Sequence, residues 1–184
     1  PDELYEKTAA IIGLGSVGRE IAKHLKNMGM KVLAIKQEMT IEPFTDKLYT
    51  PKELLHVLSA ADYIIVALPL TEKTINLFTE EQFRAMKYSA YFINIARGPI
   101  VNESALCTAL KNQWIRGAAL DVFTTEPLPA NSPLWDMPNL LITPHHAALS
   151  PYYMGRTLRI FIENLQHFPN TDCMINLVNK NRGY

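Results

Sequence analysis

A doubly wound α/β domain built on a parallel sheet is the fold class this sequence predicts, and three observations carry the prediction. Short apolar runs of strand length alternate with stretches of helical period along the chain. The runs are apolar at successive positions rather than at every second one, as strands covered by helices on both faces require. A glycine-rich turn, Gly13-Leu14-Gly15-Ser16-Val17-Gly18, joins the first run to the first helical stretch. With 184 residues, 48% of them hydrophobic and 20% charged, the chain is long enough for one such domain with a substantial core.

Ala9 to Ile12 is the first strand. Val17, Ile21, Leu25 and Met28, three or four apart, put one apolar stripe on the helix that follows, and Gly29 stops it. Lys31 to Ile35 is the second strand, and residues 39–49 show no clear period and read as loop. Thr50 and Glu53 form a capping box, with Pro51 at the first helical position, that opens a short helix through Leu58. Tyr63 to Leu68 is the third strand. A second capping box, Thr79 with Gln82, opens a helix carrying Phe83 and Met86 on one side. Ala90 to Ile95 is the fourth strand. Asn102 caps a helix through Lys111 whose apolar face is Ala105, Leu106, Ala109 and Leu110. Ala118 to Val122 and Leu140 to Thr143 complete six strands. The proline-rich segment Phe123 to Asn139 between them is too long for a routine connection, which marks it as functional. Ser150-Pro151 opens a long helix towards Phe168 with Met154, Leu158, Phe161, Ile162 and Leu165 as its stripe, and Pro169 ends it. The expected organisation is a nucleotide-binding domain over 1–168, long helix included, and a tail over 169–184 with one apolar stretch, Met174 to Val178.

Composition narrows the function classes. Formal net charge is zero, without a basic block, so the chain has no electrostatic footprint for nucleic acid or an anionic membrane. Its apolar runs are far short of a membrane span, and its acidic, polar N-terminus is unlike a signal peptide. Cys107 and Cys173 stand alone, without metal-ligand spacing, so no metal site is expected, and a cytoplasmic, reducing location is.

The three glycines are spaced G-x-G-x-x-G, and each has a physical task. Gly13 permits the sharp turn off the strand, Gly15 lets backbone approach a pyrophosphate that a side chain would strike, and Gly18 lets the helix pack closely on the sheet. Backbone at Ser16 and Val17, at the partly positive start of the helix, faces the phosphates. Strand and helix flank the pattern in the order that a Rossmann-type dinucleotide-binding domain requires.

Five stretches taken in order make the chain resemble the nucleotide-binding domain of the D-2-hydroxyacid dehydrogenases. They are GLGSVG at 13–18, LPLTEKT at 68–74, INIARGPIVNESAL at 93–106, GAALDVFTTEPLP at 117–129 and NLLITPHHAA at 139–148. The resemblance implies an NAD- or NADP-dependent oxidoreductase that interconverts a 2-oxo acid of the glyoxylate, hydroxypyruvate or pyruvate class with its D-2-hydroxy acid. It implies a homodimer formed through this domain, for which the long loop from Phe123 to Asn139, rich in large apolar groups (Phe123, Leu128, Leu134 and Trp135), and the helix before it are the expected surface. Family members carry a substrate domain before this region. The resemblance therefore implies a nucleotide-binding half that binds NAD(P) by itself, with negligible turnover, and a tail that leads back to the other domain.

Three catalytic roles follow from the resemblance. Arg97 holds the substrate's carboxylate and carbonyl oxygen with its guanidinium fork. His145, the first histidine of the TPHHAA stretch, is the general acid–base, and Glu126 pairs with its imidazole. A glutamate rather than a glutamine at 126 favours hydroxyacid over formate chemistry. His24, His56 and His167 fall on expected helices and read as solvated. On the cofactor side the resemblance implies Leu68, Pro69 and Thr74 along the adenosine and Ile95, Ala96 and Asp121 at the nicotinamide. Lys36 departs from the pattern: it stands where NAD-using members carry an acid for the adenosine ribose. It removes a charge that would repel a 2′-phosphate and adds one that attracts it, so NADP tolerance is expected. Asn102 replaces a frequent aspartate, with no consequence that follows from the sequence. Two other readings stay open here, a dinucleotide-sensing corepressor-like module and a phosphite-type dehydrogenase on the same scaffold.

Overall fold

The computed structural model describes residues 3–180 and 183, so Pro1, Asp2 and the last residues of the expected 169–184 tail lie outside the described residues in part. Its strands are β1 (Thr8–Ile12), β2 (Lys31–Ile35), β3 (Lys47–Tyr49), β4 (Tyr63–Val66), β5 (Tyr91–Asn94), β6 (Gly117–Leu120) and β7 (Leu140–Ile142). They pair in parallel in the order β3-β2-β1-β4-β5-β6-β7. The chain winds outward from β1 to one edge, then returns to start β4 on the other side of β1. That reversal opens a crevice at the carboxyl ends of β1 and β4. The helices are α1 (Ser16–Asn27), α2 (Leu54–Ala60), α3 (Glu80–Arg84), α4 (Glu103–Lys111) and α5 (Tyr153–His167). Two compact units divide the chain, one reaching Pro144 and the other starting at His145.

Burial explains why β1 is apolar from Ala9 to Ile12. Ala10 and Ile12 enter the main core on one face, and Ala9 and Ile11 enter smaller clusters on the other. The main core is anchored by Phe92, whose ring lies edge-on to Phe78 at 4.9 Å and to Phe83 at 5.2 Å. Burying each ring contributes roughly 1.5–3 kcal/mol, and each edge-on pair about 0.5–1.5 kcal/mol more. A helix as short as α3 is marginal alone, so this aromatic packing is what holds the 78–84 segment.

All six expected strands form, most of them shorter at the carboxyl end. β4 stops at Val66 because Ala67 turns to meet the glycine loop, its N–H donating to Ile12 O at 2.9 Å. β5 stops at Asn94, whose side chain is used to bind the loop that follows. Both capping boxes and the Asn102 cap are present, and Gly29 takes φ +78 just past α1. Three expectations need correction. The 39–49 stretch contains the edge strand β3, too short to show a period and fixed instead by Asp46, whose carboxylate accepts from Val32 N–H at 2.7 Å and from Lys26. Val17 and Met28 are exposed, so Ile21, Ala22 and Leu25 are the residues of α1 that pack inward. The 123–139 loop folds onto its own core: Phe123 and Leu134 are buried, Leu128 packs against the core, and of these four large groups Trp135 alone is exposed, its indole N–H donating to Pro129 O.

The second unit carries α5, which begins two residues later than Ser150-Pro151 suggests because a turn bonded to Ser150 precedes it. Its apolar stripe is exposed. The Asn164 amide grips the backbone of Ile175, donating to its O at 2.9 Å and accepting from its N–H at 2.8 Å. That grip ties the tail to its own helix.

Candidate active site

The glycine turn lies in the crevice. Gly13 has φ +105, and its N–H donates to Ile35 O at 3.2 Å. A Cβ there would overlap the backbone of Ala67, and one on Gly18 would overlap Gly13 O. Gly15 differs: it is exposed, and a Cβ on it would meet nothing within 4 Å. The turn is thus tight towards the protein and open on its outer side. α1 starts at this open side with no side-chain cap and no acidic residue in its first turn. Its positive end is left for an anion from outside, and the cradle fits a dinucleotide's diphosphate.

Across the crevice runs the loop after β4. Leu68 is half-buried against the main core, and Pro69 is half-buried too. The Thr74 hydroxyl is a brace for this loop, donating to Pro69 O and accepting from Thr71 N–H, each at 2.8 Å. Ile95 is partly buried against a core cluster under the sheet, and Ala96 is buried.

Lys36 leaves the end of β2, and its ammonium is engaged. It donates to Glu42 Oε1 and to Thr40 Oγ1, each at 2.8 Å. Arg19, on the outer side of α1, clasps the same carboxylate with Nε and Nη2, both at 2.9 Å. Thr40 Oγ1 donates to Glu42 Oε1 as well. The Glu42 side chain is only 5% exposed. Its carboxyl is pulled down to about 2, chiefly by Arg19 and against the effect of burial, with Lys36 and Thr40 adding to the pull. Sequence reasoning finds Lys36 but neither Arg19 nor Glu42, because these partners are 23 positions apart and no local pattern links them.

The loops after β5 and β6 carry the expected catalytic side chains. Arg97 is exposed, in extended backbone, with Nη1 donating to Ala96 O at 2.6 Å. Asn94, 1% exposed, sets its position: Nδ2 donates to Arg97 O at 3.1 Å and Oδ1 accepts from Ala96 N–H at 3.0 Å. A buried amide at a strand end in the INIARG stretch is the signal by which sequence reasoning could have found it. A Cβ on Gly98 would collide with the backbone of Phe123 and Thr124, so the Arg97 loop and the start of the Glu126 loop lie backbone to backbone. Thr124 N–H donates to Glu103 at 2.6 Å. Glu126 is exposed, with Oε1 accepting from Phe123 N–H at 2.9 Å. Asp121 is buried, accepts from Thr143 Oγ1 at 2.6 Å, and donates its own N–H to Asn94 O. These bonds join the ends of β5, β6 and β7.

His145 opens the second compact unit, exposed and with φ +52. Arg97 and Glu126 are therefore positioned by the first unit and His145 by the second. His24, His56, His146 and His167 are exposed. A cavity of about 760 Å³, walled by Tyr88, Arg116, Met137 and Asn139, lies at the amino ends of β5 to β7, the opposite edge of the sheet from these loops. Among the described residues no group of three or more His, Cys, Asp or Glu is placed to hold a metal, and no helix is long and apolar enough to cross a membrane.

Comparison with known proteins converges on one family. Residues 1–147 match the family model of the D-isomer specific 2-hydroxyacid dehydrogenase, NAD binding domain. The chain is similar to the glyoxylate reductase of Korarchaeum cryptofilum, 38% identical over 181 residues that cover 97% of this chain and 54% of that protein. The chain spans about half the length of the curated relatives it matches. Among solved structures it is similar to a D-isomer specific 2-hydroxyacid dehydrogenase from Xanthobacter autotrophicus Py2 in complex with NADPH and MES. The TM-score is 0.92 and the identity 34%, with 100% of this chain and 75% of that one covered. It is also similar to the NADPH-dependent glyoxylate/hydroxypyruvate reductase of Sinorhizobium meliloti in complex with NADP and sulfate. There the TM-score is 0.91 and the identity 30%, with 100% and 58% covered.

Proposed function

The chain belongs to the D-isomer specific 2-hydroxyacid dehydrogenase family as an NAD-binding domain, and from that premise we propose that it holds the cofactor and the catalytic side chains of an NAD(P)-dependent reductase of short 2-oxo acids. Glyoxylate and hydroxypyruvate are the first substrates to test, since relatives named for those activities match nearly the whole chain. The backbone of Gly15, Ser16 and Val17 holds the diphosphate. Leu68, Pro69 and the loop braced by Thr74 line the adenosine side, and Ile95, Ala96 and Asp121 form the wall at the nicotinamide side. When bound, the nicotinamide supplies the hydride that reduces the keto carbon.

The remaining work falls to side chains of this chain. Arg97 binds the substrate's carboxylate and orients its keto oxygen, a task for a planar fork rather than a point charge. His145 gives a proton to the keto oxygen on reduction and takes it back on oxidation. Glu126 stabilises the charged imidazole. The observation that carries this reading is the close approach of Gly98 to Phe123 and Thr124. It sets the Arg97 and Glu126 loops side by side on the same edge of the sheet as the open glycine turn. The NADPH and NADP bound to relatives support NADP, and the match to an NAD binding domain supports NAD.

The test is NAD(P)H oxidation by the whole protein with a panel of 2-oxo acids and phosphite. Arg97→Lys is expected to raise KM for the acid severalfold while leaving cofactor affinity within about twofold. Reduction needs the protonated imidazole, so its rate falls as pH rises. Glu126→Gln is expected to move that fall to lower pH, and an unmoved profile refutes the pairing. A cytoplasmic, dimeric protein completes the proposal. The 123–139 loop offers that dimer less apolar surface than its composition suggests, since Phe123 and Leu134 are buried, and light scattering that finds only monomer removes the dimer.

A further inference from the structure

The ion cluster at the end of β2 is not used by the chemistry above. Two cations, Arg19 and Lys36, share one carboxylate, Glu42, so the cluster carries a net single positive charge. The donors that converge on Glu42 are a guanidinium fork, an ammonium and the Thr40 hydroxyl. A phosphate monoester recruits the same set, and it brings a charge of about −1.5 to −2 with three acceptor oxygens against a carboxylate's −1 and two. Lys36 occupies the position after β2 from which this class of site contacts the adenosine ribose or its 2′-phosphate. Beside the cluster is a cavity of about 390 Å³, with Leu14 and Arg19 on the side of the glycine turn and Thr40, Glu42 and Phe44 on the other. Gln37 to Ile41, the stretch linking Lys36 to Glu42, is exposed along its length.

We infer that Glu42 is the cofactor-discriminating residue of this site: it holds Arg19 and Lys36 in a closed ion triad, and a nucleotide bearing a 2′-phosphate binds by taking those donors from it. The inference rests on the NAD(P)-binding reading given above. A nucleotide without the 2′-phosphate leaves the triad closed. Glu42 then keeps Arg19, Lys36 and Thr40 as its partners, so its carboxylate does not replace the missing ribose-binding acid. Protonation does not open the triad near neutrality either, since the Glu42 carboxyl stays ionised far below that range. A competing anion is what opens it. Lys36 alone therefore understates the site, because its charge is already shared.

Calorimetric titration of the folded chain with ADP-ribose and with 2′-phospho-ADP-ribose tests this. Glu42→Gln keeps the side chain's shape and removes its charge, and it is expected to tighten the 2′-phosphorylated ligand about tenfold while ADP-ribose stays within twofold. Lys36→Gln leaves the Arg19–Glu42 clasp in place and is expected to weaken the phosphorylated ligand about tenfold, again with ADP-ribose within twofold. The wild-type advantage of the phosphorylated ligand is expected to shrink as salt rises. Weaker binding of the phosphorylated ligand to Glu42→Gln overturns the inference, because Glu42 is then a support for the two cations. Equal shifts for both ligands in both variants overturn it too, while leaving dinucleotide binding standing. If wild-type protein binds neither ligand, the NAD(P) reading itself falls and takes this one with it.

Discussion

Replacing Asn94 by alanine tests how the loop that carries Arg97 is held. The amide makes two bonds in a buried setting, to Ala96 N–H and to Arg97 O. Their losses differ. Arg97 O also accepts from Ile100 N–H at 3.3 Å, so it keeps a partner, and the change costs about 1 kcal/mol, the net worth of an ordinary hydrogen bond. Ala96 is buried, and its N–H loses the acceptor that Asn94 provides, which costs roughly 1–3 kcal/mol. The sum is about 2–4 kcal/mol, which for a chain of this size lowers Tm by about 5–15 °C. Thermal and urea unfolding measure the loss, and calorimetry with NADH or NADPH supplies the second reading. The glycine turn that holds the diphosphate lies at the ends of β1 and β4, and only the nicotinamide side is reached through Ala96, so dinucleotide affinity at a temperature where the variant is folded is expected to fall by no more than about threefold. In the whole protein, 2-oxo acid handling is expected to fall more than tenfold as Arg97 loses its placement. A loss of stability under 1 kcal/mol refutes the bonding scheme. A parallel loss of dinucleotide affinity refutes the separation of the two loops.

Gly13→Ala places a Cβ on the backbone of Ala67 at a residue with φ +105; strain and overlap together are expected to cost several kcal/mol and abolish dinucleotide binding, measured by unfolding and calorimetry. Acid should destabilise the chain through its depressed carboxyls. Glu42 lies at about 2 against its ordinary 4.5, and Asp46, through Lys26, is lowered as well. In Asp62 burial works the other way but is outweighed by Lys87 and Thr8 N–H. A depressed carboxyl contributes stability that is complete above its unfolded value and is lost as pH falls towards its folded one. The urea midpoint is therefore expected to fall as pH drops from about 4.5 towards 2, and Glu42→Gln to flatten that decline; parallel profiles for the two proteins refute the triad's part in it.

Local signals determined a large share of this protein. The unbroken apolar runs identified six strands because a strand buried on both faces has no polar side to interrupt it. Thr50, Thr79 and Asn102 announced helix starts because a cap is satisfied within four residues of itself. G-x-G-x-x-G announced the turn because backbone geometry at Gly13 and Gly18 excludes a side chain whatever lies elsewhere in the chain. Arg97, Glu126 and His145 were legible only through the resemblance of their stretches, since a lone arginine or histidine has no local signature. Tertiary structure decided what depends on distant partners. The edge strand β3 exists because β2 offers it a ladder and Asp46 pins it. Val17 faces outward, and Phe123 and Leu134 inward, because amphipathic period does not say which neighbour arrives at which face. Asn94 became a brace, and Lys36 a shared cation, only when Arg97 O and Glu42 were brought to them. A hydrogen bond or ion pair between residues far apart in the chain has its geometry set by the fold between them, and no short window of sequence contains it.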